Sequence, residues 1–193
     1  MAARTNLDEY QLLSREQLMD LARMNGRFAL SLDGLWFLGV ESLHGTDHAI
    51  AIDEGVWRQF GASEGKMLKR FLGLDTVTTL EDICRIYLLT PVFGNLGATA
   101  EVDGDRCYLS VTDCHPQKSR VKKKLGEFPC KTVGMAYFNG LLTELNPAIR
   151  FACTICPPDE HPEDLWCRWE IWFEGNGCGL NSNIQTCSRN DEG

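Results

Sequence analysis

Apolar residues in the first half of the chain recur at helical spacing. Leu18, Leu21, Phe28, Leu32, Leu35 and Leu43 fall at steps of three and four residues, or sums of them, and so share one face of a helix over residues 15–44. Ser14 precedes that run with Gln17 at the capping-box offset, and His44-Gly45 ends it. A second helix is expected over 47–60, anchored by Trp57 and Phe60. A break at Gly61-Ala62-Ser63 then leads to a third from Glu64 to Leu72, stopped by Gly73. Thr79 caps a fourth, Leu80 to Leu89, which ends before Pro91.

After Pro91 the period changes. Residues 97–103 and 106–112 carry β-formers around Asp103-Gly104-Asp105, a strong hairpin signal. A charged helix is expected from His115 to Lys124, and an apolar one from Thr132 to Leu145, closed by Asn146-Pro147. Residues 149–155 and 166–173 read as two further strands, joined by the acidic, proline-rich loop Pro157 to Asp164. The fold class is therefore α+β: an N-terminal helical layer, then hairpin–helix–helix–hairpin, with an antiparallel sheet packed on helices. The expected organisation is a tail over 1–14, one domain over 15–174 (helical to 92, sheet and metal part from 93), and a flexible Gly/Asn/Ser-rich tail over 175–193.

Cysteine spacing adds chemistry to this map. Cys130, Cys153, Cys156 and Cys167 form the pattern C-x22-C-x2-C-x10-C. Cys130 falls at a helix start, Cys153 and Cys156 at the end of one strand, and Cys167 at the start of the next. Four thiolates on three elements suit tetrahedral zinc, which accepts them without redox chemistry. An iron–sulfur centre, a disulfide framework and ordinary buried or redox thiols are the rival readings. Nine cysteines is an odd number, and Met1-Ala2-Ala3-Arg4-Thr5-Asn6 offers no apolar leader, so a reducing, cytoplasmic setting is expected. Among the other five cysteines, Cys84 and Cys107 lie in apolar-patterned segments and are expected to be buried and inert. Cys178 and Cys187 lie in the tail and are expected to react fast.

Charge narrows the partners. A net charge of -8 argues against nucleic acid, and no apolar run of about 18 residues could span a membrane. The one basic cluster, Lys118, Arg120, Lys122, Lys123 and Lys124, reads as a solvated helix face. No Gly-x-Ser-x-Gly, phosphate loop or dinucleotide fingerprint is present. Cys114-His115, where a strand passes into a helix, together with Trp36 and Glu41 of the long helix, are the candidate pocket residues for a small apolar or aromatic ligand. Oligomeric state is open, a homodimer included.

The cysteine positions resemble those of the 4-vinyl-reductase domain family, which includes the sensor domains of phenol-responsive bacterial transcription activators. In that family zinc is held by a cysteine at a helix start, two nearby ligands on a strand and a last cysteine beyond. Those positions fall on Cys130, Cys153, Cys156 and Cys167. Two departures are visible: the ligand matching Cys153 is a glutamate in the phenol sensors, and the last spacing is lengthened here by Pro157-Pro158-Asp159-Glu160-His161-Pro162. Residues 15–173 also resemble a microbial cytosolic family of unassigned activity. The resemblance rests on Gly126-Glu127-Phe128-Pro129-Cys130-Lys131, Cys156-Pro157-Pro158-Asp159, His161-Pro162 and Trp166-Cys167. That family is sometimes grouped with L-2-amino-thiazoline-4-carboxylic acid hydrolase-like proteins. The grouping implies an α/β ligand-binding fold, shared with haem nitric-oxide sensors and Golgi-transport subunits. The grouping names no catalytic residue. Three functions stand as expectations. One is a zinc-containing domain that binds or senses a small molecule without turnover, the metal being structural. The second is a hydrolase of a small heterocycle or amide, for which the residues themselves offer Cys114 and His115, or an open metal position with Glu160 and His161 nearby. The third is a redox or metal-handling protein that uses its many thiols.

Overall fold

The computed structural model describes residues 5–175. Thr5 and Asp8 form a capping box on a short helix, α1 (Asn6–Tyr10), within the N-terminal stretch 1–14. Ser14 and Gln17 form a second capping box at the start of α2 (Arg15–His44). Gly45, at φ 83°, makes the turn into α3 (Thr46–Leu72), and Gly73 ends α3 in the left-handed conformation.

α3 is continuous, which corrects the expected break at Gly61-Ala62-Ser63. The glycine there serves packing. A Cβ on Gly61 would stand 2.5 Å from the carbonyl oxygen of Tyr137 on α6 (Lys131–Leu145), and one on Gly140 of α6 would stand 2.1 Å from the carbonyl oxygen of Arg58. Missing side chains let the two helices approach to backbone contact. That gain outweighs the roughly 1 kcal/mol that a glycine costs inside a helix.

α4 (Leu80–Leu89), capped by Thr79, leads through a 3-10 turn (Phe93–Asn95) to β1 (Ala98–Asp103) and β2 (Arg106–Val111). α5 (His115–Lys122), α6, β3 (Ile149–Ile155) and β4 (Cys167–Phe173) follow. All pairings are antiparallel and the strand order is β1-β2-β4-β3, so β2 and β4 are central. The α+β architecture and the strand positions agree with the sequence expectation to within a residue or two.

One core joins the helical and sheet parts. Ile83, Ile86 and Tyr87 of α4 pack with Leu109 of β2, Phe138 and Leu141 of α6, and Trp169 and Ile171 of β4. Each such fully buried side chain contributes roughly 1.5–3 kcal/mol. Gly134 lets α6 settle on the sheet, because a Cβ there would meet the Trp169 ring at 2.6 Å.

α2 corrects the sequence reading most. Its buried residues are Gly26, Leu30 and Phe37. Leu18, Phe28, Leu32, Leu35 and Leu43, the face that the periodicity marks as inward, point to solvent, and Leu21 is half-buried. Among the described residues, no helix is long and apolar enough to cross a membrane.

Candidate functional site

Two neighbouring features carry the chemistry, a thiol cluster and a cavity, and one buried glutamine links them.

Cys130 occupies the N-cap position of α6, where helix-end N–H groups favour a thiolate. Cys153 lies next to a register shift in β3, Cys156 immediately follows that strand, and Cys167 opens β4. The approach to the cluster is held by backbone: Lys131 N–H donates to Pro157 O (3.0 Å) and Asp159 N–H to Cys156 O (2.9 Å). Lys131 also pairs with Asp159 at 2.8 Å. Cys156 is buried, and the thiols of Cys130, Cys153 and Cys167 all neighbour it as hydrogen-bond partners, so the tertiary structure brings the four together. The sulfurs of Cys130 and Cys156 are 3.6 Å apart. A tetrahedral shell with Zn–S of about 2.3 Å has sulfur–sulfur edges of about 3.8 Å. Even so, among the described residues no group of three or more His, Cys, Asp or Glu side chains is arranged to hold a metal ion as it stands.

Cys130 is held below the usual thiol range, first by its contact with Cys156 and then by Gln117. Gln117 on α5 is fully buried. Its Nε2 donates to Phe128 O (2.7 Å) and to Cys130 Sγ (3.3 Å), and its Oε1 accepts from Phe128 N–H (2.7 Å). This side chain therefore fixes the loop that delivers Cys130.

The same loop delivers Phe128 to a cavity of about 310 Å³ bounded by α2, α3 and α5. Leu30, Phe37 and Phe128 supply apolar wall, with Phe37 and Phe128 edge-to-face at 4.7 Å between centroids. Asp33 and Asp53 supply acid, and His115, Arg120 and Lys123 supply base. Burial pushes the Asp33 carboxyl up to about 6, against a hydrogen bond from Trp57. Burial, with the Asp33 charge adding to it, pushes Asp53 up to about 7. Two carboxyls, one on α2 and one on α3, thus stand beside one indole N–H, and burial favours the protonated form of each.

Of the four pocket residues expected from sequence, His115 lines the cavity. Trp36 points to solvent. Glu41 takes both guanidinium nitrogens of Arg120, at 2.9 and 3.0 Å, and holds that cavity residue in place from outside. Burial accounts for Arg120: it is an ion-paired, largely enclosed side chain, not part of a solvated face. Cys114 packs with Val111, Trp166 and Cys167 in a second apolar cluster, and burial pushes its thiol up to about 12. His115 Nδ1 lies 3.5 Å from Ser119 Oγ instead. Adjacent residues at a helix start diverge, so no Cys114–His115 dyad forms. His161 sits against the Trp166 ring, with Nε2 3.5 Å from Glu127, and is mostly enclosed.

Asp33, Asp53, Gln117 and Phe128 escaped the sequence reading. The two aspartates did carry a signal: each sits one helical turn from an apolar position on the inward side of its helix, Phe37 for Asp33 and Trp57 for Asp53.

The model of DUF6125, a family of unknown function, matches residues 11–173. No curated protein and no solved structure matches the chain.

Proposed function

We propose that this chain, which belongs to the DUF6125 family, is a zinc-containing cytoplasmic domain that binds a small, largely apolar or aromatic molecule, with the metal in a structural role. The carrying observation is Gln117, which bonds at once to the thiol of Cys130 and to the backbone of cavity residue Phe128. Order at the cysteines is thereby order at the cavity wall.

The residues fit zinc in donor chemistry: four sulfurs from three elements, one edge already near the tetrahedral value. Cys130, Cys153, Cys156 and Cys167 would hold the ion, which would cross-link the start of α6 to β3 and β4. The resemblance of these positions to the 4-vinyl-reductase domain family supports the same reading. The cavity has the size and make-up of a small-molecule site, with aromatic walls and a few polar groups that select by hydrogen bonding. The hydrolase reading through Cys114 and His115 has less behind it, since a thiol held at about 12 is a poor nucleophile and the imidazole faces elsewhere.

The test is elemental analysis joined to thermal-shift screening with small phenols and amino-acid-derived thiazolines. About one zinc per chain is expected, lost in Cys156→Ser. His115→Ala and Asp53→Asn should reduce the shift given by a bound phenol while zinc content stays. Zinc-free wild-type protein of undiminished stability would remove the metal from the proposal. Steady turnover of a thiazoline or amide, abolished by Cys114→Ser, would replace it with the hydrolase.

A further inference from the structure

α2 is apolar on two opposite faces. With about 100° per residue, Leu30 and Phe37 mark one side, and Leu21, Phe28, Leu32, Leu35, Gly39 and Leu43 gather on the other. The first side is buried against the domain. On the second, Phe28, Leu32, Leu35, Trp36 and Leu43 are 60 to 78 % exposed. With Leu18 the stripe runs roughly 37 Å along the helix. Its exposed side chains amount to roughly 600 Å² per chain, against the ~800 Å² per partner of a standard interface and the few hundred Å² that monomers leave bare.

We infer that this stripe is a homodimer interface, in which α2 of one chain packs on α2 of a second copy about a twofold axis. This does not rest on the metal or ligand reading above. Charge identifies the occupant. The chain carries a net charge of -8, yet positions 18, 21, 25, 28, 32, 35, 36, 39 and 43 carry no charged residue, so this is a face on which two acidic copies can meet without repulsion. A self-complementary stripe is what an isologous contact requires. Gly39 leaves open space where a Cβ would stand, which allows close approach of the partner helix. Asn25, at heptad spacing from Leu18 and Leu32, places one polar group in the seam, the device that sets register between helices. A lipid surface would call for Lys or Arg beside the stripe, and the flanking positions 22, 24, 29, 31, 40 and 42 are Ala, Met, Ala, Ser, Val and Ser. Residues 176–193 contain only Leu180 and Ile184 as large aliphatics, a poor match in composition to a stripe of this length.

Light scattering on the eluting full chain, with sedimentation velocity from 1 to 100 µM, tests the inference. The expected mass is twice the 21.7 kDa of one chain. Leu32→Asp and Leu43→Asp should each weaken association about 100-fold or more and leave helical circular dichroism unchanged, while Leu32→Met keeps the dimer. Trp36 gives a readout on folded protein with its interface intact. Acrylamide quenching that is lost in Trp36→Phe should rise as the wild type is diluted through the dissociation range. A monomer at 100 µM would overturn the inference. So would a dimer indifferent to both aspartates, which places the contact elsewhere. Quenching of Trp36 that rises only on deletion of 176–193 would assign the stripe to the tail.

Discussion

Gln117 on α5 donates from Nε2 to Cys130 Sγ at 3.3 Å, although thirteen residues separate them in the chain. The contact is a corner of a three-bond clasp, completed by both backbone polar groups of Phe128. Removing a buried amide leaves each partner unpaired, which costs about 1–3 kcal/mol per group.

Gln117→Ala should therefore lower unfolding free energy by about 2 kcal/mol or more in urea titration, with Phe128 exposed to quicker hydrogen exchange. Stability equal to wild type would mean that the clasp is incidental.

The meeting of α3 and α6 leaves no room at Gly140, where a Cβ would lie 2.1 Å from the Arg58 carbonyl oxygen. Backbone cannot rotate aside, so Gly140→Ala should destabilise by about 2–3 kcal/mol, an overpacking cost, despite improved helix propensity. Gly55→Ala, on α3 with open space around it, is the control and should be neutral or slightly stabilising. A ranking of the two in the other order would contradict the close crossing.

Glu64 is buried on α3 and accepts from Tyr137 Oη at 2.6 Å, while its second oxygen has no partner. Burial raises its carboxyl from 4.5 to about 7. Between those values the native state holds a proton that the unfolded chain has released. Stability therefore falls as pH rises from about 4.5 to 7 and levels off above, by up to about 3 kcal/mol for this group. Asp33 and Asp53, raised to about 6 and about 7, act in the same direction. Melting temperature should drop between pH 5.5 and pH 8, and Glu64→Gln should flatten part of that drop. Parallel pH profiles for the two proteins would refute the assignment.

Cys84 of α4 is half-buried and its sulfur stands 2.8 Å from that of fully buried Cys107 on β2. The contact with Cys107 draws the Cys84 thiol below the usual range and pushes Cys107 up. Sequence pattern treats both as inert; the structure separates them. Brief alkylation with mass-spectrometric mapping should label Cys84 well before Cys107, and Cys107→Ala should slow Cys84. Cys178 and Cys187 lie outside the described residues. Earlier labelling of Cys107 would be inconsistent with its burial.

Local signals decided the elements. Ser14 with Gln17, Thr79 and Asp103-Gly104-Asp105 act through bonds and dihedrals within a few residues, so caps and hairpin were legible from neighbouring letters. The placement of Cys130 at a helix start, Cys153 and Cys156 at a strand end and Cys167 at the start of the next strand was legible too, because each follows from its local element. Tertiary structure alone decided the rest. Periodicity shows that two helical faces differ, yet it does not say which one the domain covers, and on α2 the domain took Leu30 and Phe37 and left Leu32 bare. Gly61 looks the same in sequence whether it breaks a helix or admits another, and only the backbone of Tyr137 beside it settles which. Asp33, Asp53 and Gln117 gain their roles from groups on other elements: burial by α2 and α3 sets the proton affinity of the aspartates, and a loop eleven to thirteen residues downstream gives Gln117 its partners.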